Sequence, residues 1–177
     1  MQSQTQPPMQ SQNSTNDAQS KVNLMVKMAL MAWKSQNDRV DKFLGKLSDE
    51  QLAKEIAPGK NSGIYLLGHM AAVNDGLFTL FGMGEKLYPD LAKIYLDSPD
   101  KSGLSQPSVA DLRKYWKEIN AKLTEKFEAF QLSDWFARHN SVSEADFAKE
   151  PHRNKLNVLL NRTSHQSYHI GQMILIG

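Results

Sequence analysis

Residues 108–130 have the sequence SVADLRKYWKEINAKLTEKFEAF, and this stretch decides the fold class. Its apolar residues recur at intervals of three and four, with Lys, Arg and Glu between them, which is typical of a helix with one buried face. Ser108 precedes the first apolar residue, at the position where a serine side chain caps a helix. The residues of the buried face are Val109, Leu112, Trp116, Ile119, Leu123, Phe127 and Phe130.

The same spacing recurs in three other parts of the chain. It predicts a first helix from Lys21, a second helix after the candidate cap Ser62, and a fourth helix from about Asn154 to near the C-terminus. Residues 82–107, with Gly and Pro breaks around LAKIYL, predict a long crossover connection that carries a short helix. Residues 132–153 predict a second loop. Since no segment has a strand pattern, we predict an all-α four-helix bundle with one long crossover.

Length and charge limit what the chain can be. Its 177 residues fit one domain, and we predict that the Gln- and Ser-rich residues 1–20 form a flexible tail before a single domain of residues 21–177. The formal charge is +2, and the 21 basic residues are scattered among 19 acidic ones. Nucleic-acid binding is therefore not expected, because it requires a basic patch or stripe.

The absence of cysteine narrows the chemistry further. It excludes a disulfide framework, thiolate metal ligands and a cysteine nucleophile. No apolar run approaches the ~20 residues that cross a bilayer, and residues 1–20 lack the features of a secretory signal. We therefore expect a cytoplasmic protein that does not associate with a membrane.

The histidines are the main candidates for a functional site. His165 and His169 lie four residues apart on the predicted fourth helix, so both side chains are on one face and can share a metal ion. Gln166 stands where the HExxH motif of zinc peptidases has its glutamate, so the sequence argues against a peptidase. By itself the pair also fits a solvated helix face or a capping pair.

His69 adds a third candidate ligand from another helix. It lies within an apolar row of the predicted second helix, where a neutral core histidine with one hydrogen bond is the ordinary alternative. Three histidines from two packed helices would form a facial set with positions left open for water or substrate. Such an open set is typical of a catalytic rather than a structural metal site.

Two motifs resemble one known family. LSDEQLAKEIAPGKNSGIYLLGHMAAVNDGLF, which contains His69 after Leu67-Gly68, and SHQSYHIGQM, which contains His165 and His169, resemble the two signatures of the DinB-like (DinB/YfiT-like) metal-dependent proteins. The resemblance extends from about residue 21 to the end. It implies an up-down-down-up four-helix bundle, commonly a homodimer, with one divalent ion, most often nickel or zinc, on these three histidines.

The resemblance also implies a class of activity. Characterised members are chiefly transferases and isomerases that use a low-molecular-weight thiol. We therefore predict a metal-dependent hydrolase or thiol S-transferase-type enzyme that activates a small thiol cosubstrate or water. One alternative is a non-catalytic, stress-related protein that binds a metal or small ligand, and another is a dimerising interaction module whose histidines have lost their role.

Several residues near the motifs are candidates for supporting roles. Gln172 would hydrogen-bond a metal ligand or metal-bound water, or else face solvent, and Gly171 would allow a neighbouring helix to approach closely. Asn74 would reach the site or fix the helix register. Weaker candidates are Arg162 and Tyr168, which would orient an acidic substrate or serve only in packing. His139 and His152 have loop-like surroundings and are expected to be exposed.

Overall fold

The structure, a computed structural model, describes the backbone of residues 9–177 and the side chains of residues 16–177. In this described part there is no β-strand, only two isolated bridges, so the predicted all-α class is confirmed. A 3₁₀ turn, Ile174–Ile176, follows the last helix. The helices are α1 Met9–Leu44, α2 Asp49–Leu52, α3 Gly63–Leu80, α4 Asp90–Tyr95, α5 Val109–Glu128, α6 Leu132–Phe136, α7 Glu144–Lys149 and α8 Lys155–Met173.

The three long helices after α1 begin where the sequence predicted, two of them at the predicted caps Ser62 and Ser108. Ser62 accepts a hydrogen bond from a first-turn backbone N–H of α3 at 3.2 Å, and Ser108 does the same for α5 at 3.1 Å. Asn154 caps α8 through its side-chain oxygen at 2.9 Å. Each cap satisfies a backbone donor that has no partner inside the helix, which fixes the first residue of the helix.

The four long helices pack around one core. Helix α3 packs against α5 and α8, and α1 packs against the same two helices, which is the arrangement expected of a four-helix bundle. The short helix α4 docks on α3. The up-down-down-up order of the helices stays a prediction. The largest fully buried side chains belong to Trp33, Trp116, Trp135, Tyr95, Phe78 and Phe127.

The predicted start of the first helix is wrong. Helix α1 begins at Met9, not at Lys21, so it crosses the predicted boundary between tail and domain. Extending an existing helix adds a hydrogen bond for each residue fixed, and so polar residues can continue it without burial. Residues 16–20 are exposed, and Lys21 pairs with Asp17 at 2.6 Å. Residues 1–8 of the predicted tail lie outside the described residues.

The predicted loop of residues 132–153 contains two short helices, α6 and α7. Trp135 of α6 is buried and packs against Phe127 at a ring-centroid distance of 5.3 Å, so this segment closes one end of the core. In the described part of the chain, no helix has the length and apolar character needed to cross a membrane.

Candidate metal centre

Helices α3 and α8 bring the three predicted histidine ligands together. His69 lies on α3, and His165 and His169 lie one turn apart on α8. The Nε2 atoms of His69 and His165 are 3.2 Å apart, and those of His165 and His169 are 3.0 Å apart. One ring nitrogen from each histidine lies within 4.8 Å of the other two. The three rings therefore converge on one point.

The backbone of α4 holds the ring of His69. Nδ1 of His69 donates to the carbonyl oxygen of Tyr95 at 2.9 Å. Tyr95 is fully buried, and its ring lies directly against the backbone of Gly68, where an added Cβ would be only 2.4 Å from ring atom Cε1. Only glycine at position 68 permits this close docking. The glycine that precedes His69 thus positions the carbonyl that orients the ligand.

A side chain of α8 holds the ring of His169 in the same way. Nδ1 of His169 donates to Oε1 of Gln172 at 2.8 Å, one helical turn further along. The amide Nε2 of Gln172 in turn donates to the hydroxyl oxygen of Tyr168 at 3.1 Å. Tyr168 is 63% exposed, so a chain of hydrogen bonds leads from His169 to the surface.

These two hydrogen bonds determine which ring nitrogens are free. A carbonyl and an amide oxygen can only accept, so Nδ1 carries the hydrogen in neutral His69 and in neutral His169. The Nε2 lone pairs of both rings then face Nε2 of His165. In a neutral ring, Nε2 of His165 carries at most one hydrogen, so it can donate to only one of these two lone pairs. A cation bound by all three nitrogens would satisfy the whole group, so the donor set fits a metal ion.

The electrostatics of the site favour neutral imidazoles. Burial, reinforced by the neighbouring His169, His69 and Arg162, lowers the pKa of His165 to about 4. Burial also lowers the pKa of His169, against a smaller opposing effect of its hydrogen bond with Gln172. Neutral imidazole is the form that binds metals, so protons compete little for these two nitrogens at pH 7.

Asn74 does not join the histidines. Its amide donates to Oδ1 of Asn120 on α5 at 2.8 Å, and Asn120 donates to the backbone carbonyl of Trp116 at 2.8 Å. Asn74 is 1% exposed. This buried pair links α3 to α5, which corresponds to the alternative that Asn74 fixes the helix register.

Three further sequence expectations can be compared with the structure. His152 is exposed, as predicted, but His139 is partly buried, with an Nδ1 atom that has no partner among the described residues. The expectation for His139 is wrong because residues 139–141 fold back onto the end of α3. Gly171 is exposed, and an added Cβ would meet nothing within 4 Å. Close helix approach is therefore not the reason for this glycine.

The sequence analysis missed the Tyr95 carbonyl. Every residue has a backbone carbonyl, so no residue type signals that one will act as an acceptor. The one available signal was Gly68, because a glycine inside an otherwise apolar helix often marks close packing of another segment. Which segment packs there depends on the course of residues 82–107, which periodicity does not predict.

Fold and site together define a class: a helical protein with three histidines whose ring nitrogens converge as in a metal centre. Residues 32–173, most of the chain, match the DinB superfamily, so the chain belongs to that superfamily and the predicted relationship is confirmed. No curated protein matches the chain. All three histidines lie within the matched residues, and family and geometry together support a divalent metal site.

Proposed function

We propose that this protein binds one divalent metal ion, nickel or zinc, through Nε2 of His69, His165 and His169. The observation that carries the proposal is the pair of Nδ1 hydrogen bonds from His69 and His169, which aim two lone pairs at the third histidine. A histidine that binds a metal through one ring nitrogen usually donates a hydrogen bond from the other, as His69 and His169 do. No Asp, Glu or Cys of the described residues belongs to the group.

We further propose that the ion serves a reaction: a metal-dependent hydrolase or thiol S-transferase-type activity. A divalent ion held by three neutral imidazoles would keep its full charge and would lower the pKa of a coordinated thiol or water, so that a nucleophile would be available at neutral pH. The chain has no cysteine, so a thiol would have to come from a small cosubstrate. His69 and His165 are only partly buried, which leaves a side of the site open to such a molecule.

A homodimer and a cytoplasmic location belong to the same proposal. Leu24, Met25, Met28 and Met31 of α1 are between 56% and 64% exposed, and a second copy of the chain would cover this apolar surface. Sedimentation velocity should then give twice the mass of one chain. A monomer at micromolar concentration would refute the dimer but would not bear on the proposed metal site.

Metal analysis of untagged protein tests the first step. Protein expressed in medium supplemented with nickel and zinc should contain one equivalent of metal. The variants His69→Ala, His165→Ala and His169→Ala should each lose it, whereas His152→Ala, which removes an exposed histidine far from any motif, should retain it. Wild-type protein without metal would refute the proposal.

Thiol conjugation tests the second step. Metal-loaded protein is incubated with an electrophile and with several cellular thiols, and product formation is compared with that of His169→Ala. An enzyme should lose turnover in the variant. If one equivalent of metal binds but no thiol or water reaction depends on His169, the alternative of a non-catalytic metal- or ligand-binding protein would be favoured.

A further inference from the structure

A cavity of about 440 Å³ lies beside the histidines, between α3 and α8. Val73, one turn after His69 on α3, and Arg162, three residues before His165 on α8, both line it. The three histidines do not line the cavity themselves. The cavity therefore begins about one helical turn from the candidate metal centre on both helices.

The remaining walls of the cavity come from the two long connections. Leu96 and Lys86 belong to the connection between α3 and α5, and Asn140 belongs to the connection between α6 and α7. Asn140 is held over the end of α3 because its backbone N–H donates to the carbonyl of Leu80 at 2.8 Å and its side chain donates to the carbonyl of Thr79 at 2.7 Å. The cavity is thus covered by the hydrogen-bonded Asn140, and its lining includes apolar side chains such as Leu96 and the two cationic side chains of Lys86 and Arg162.

Arg162 is partly buried and has no partner among the described residues. Its Nε atom is inaccessible to solvent and lacks an acceptor, and no ion pair or hydrogen bond involves its guanidinium in this part of the chain. Arg113, in contrast, donates to two backbone carbonyls at 2.5 and 2.7 Å, and Arg153 pairs with Glu150 at 3.1 Å. A partly buried cation without an acceptor is costly and is normally paired.

No acidic side chain lines the cavity to balance this charge. The charge of Lys86 acts on the carboxylate of Asp75, but the oxygens of Asp75 accept from the backbone N–H groups of Leu87 and Tyr88 at 2.8 and 2.9 Å.

We propose that this cavity is a subsite for a carboxylate-bearing substrate, whose anionic group pairs with Arg162 and Lys86 while its apolar body lies against Val73, Leu80 and Leu96. A guanidinium matches a carboxylate with two parallel hydrogen bonds, which Lys86 alone cannot provide. The inference rests on the proposed function, because the subsite would anchor the molecule whose reacting group faces the metal. The anchored carboxylate belongs either to the thiol or to its reaction partner.

The first experimental arm needs no metal. Binding of benzoate and of benzamide, which has the same shape without the charge, is measured by isothermal titration calorimetry on full-length protein, as purified and after chelator treatment. Wild type should bind benzoate at least about tenfold more tightly than benzamide, the size of one hydrogen bond to a charged group. Arg162→Gln should lose this preference, and Arg162→Lys should keep part of it.

Arg39→Gln is the matched control for this arm. It removes the same charge from an exposed position on α1 and should leave the preference unchanged. Circular dichroism verifies that each variant folds. Because Arg162 has no partner among the described residues, Arg162→Gln should have the thermal stability of wild type, whereas loss of a purely structural arginine would lower it. Equal benzoate preference in wild type and Arg162→Gln would overturn the subsite.

The second arm identifies the source of the carboxylate. Cobalt-loaded protein is titrated with 3-mercaptopropionate and with its neutral amide, and thiolate coordination is followed by its charge-transfer absorption. If Arg162→Gln removes a preference for the acid, the subsite holds the thiol; if only the benzoate preference depends on Arg162, it holds the reaction partner. Failure to bind cobalt would refute the proposed metal site, while the benzoate result still decides the subsite.

Discussion

Replacing Gly68 by alanine should disturb the metal centre without touching a ligand. The new Cβ would lie 2.4 Å from Cε1 and Cζ of Tyr95, whereas ordinary contacts begin at 3.4 Å, so the ring must move by about 1 Å. Tyr95 is fully buried, so its ring can move only by displacing the core residues around it. The hydrogen bond from His69 Nδ1 to the Tyr95 carbonyl, now 2.9 Å long, should then be lost or strongly lengthened.

The magnitude follows from two opposing effects. Overfilling a packed core costs ~1–3 kcal/mol, and the fixed ring places this site in the upper part of that range. Alanine in a helix interior recovers ~1 kcal/mol relative to glycine. We therefore expect Gly68→Ala to lower the free energy of unfolding by about 1–2 kcal/mol. Loss of the hydrogen bond to a metal ligand should weaken metal affinity by roughly tenfold to a hundredfold.

Gly171→Ala provides the matched control. It makes the same chemical change on α8, but the new Cβ meets nothing within 4 Å. This variant should gain up to ~1 kcal/mol of stability from helix propensity and keep wild-type metal affinity. Urea unfolding and competition with a chromophoric chelator measure the two quantities. If Gly68→Ala and Gly171→Ala behave alike in both assays, the explanation of the Gly68-His69 pair is wrong.

Three other outcomes test separate parts of the account. Gln172→Leu should weaken zinc affinity tenfold to a hundredfold in the chelator competition, and unchanged affinity would show that its hydrogen bond is unimportant. Asn74→Ala should cost ~1–3 kcal/mol in urea unfolding by stranding Asn120, with metal affinity retained; loss of affinity at constant stability would instead place Asn74 at the site. Folding lowers the pKa of His165 from its ordinary value of 6.5 to about 4, so between these two pH values the unfolded chain binds more protons than the folded one. The free energy of unfolding of the metal-free protein should therefore be unaffected by His165 above pH 6.5 and should fall progressively as the pH falls towards 4. His165→Gln should reduce this dependence in thermal melts, and an unchanged slope would refute the assignment.

The sequence predicted those parts of the fold that depend on local patterns. The apolar period of α5 and the caps Ser62 and Ser108 specified helices whose starts the structure reproduces. The spacing of His165 and His169 specified one helical face, since it depends only on the helix period. These features involve neighbouring residues, so a single sequence contains the information needed.

The parts that were missed depend on contacts between distant segments. The Tyr95 carbonyl reaches His69 only because α4 docks on α3, and whether Arg162 finds a partner among the described residues depends on what surrounds it in the folded chain. The early start of α1 was missed because the polar composition of residues 1–20 indicates only that they are not buried. A helix that is already packed can continue into such polar residues without burying them. In each case the outcome is decided by tertiary packing, which residue spacing along the chain does not determine.

The most direct test of the metal centre is crystallographic. Crystals of the zinc-loaded protein are measured above and below the zinc absorption edge, and the anomalous difference map is calculated. We predict one peak bonded to Nε2 of His69, His165 and His169, at about 2.0–2.1 Å from each, the usual zinc–imidazole distance. A map without a peak at this point, or with zinc bound only elsewhere on the chain, would contradict the central claim.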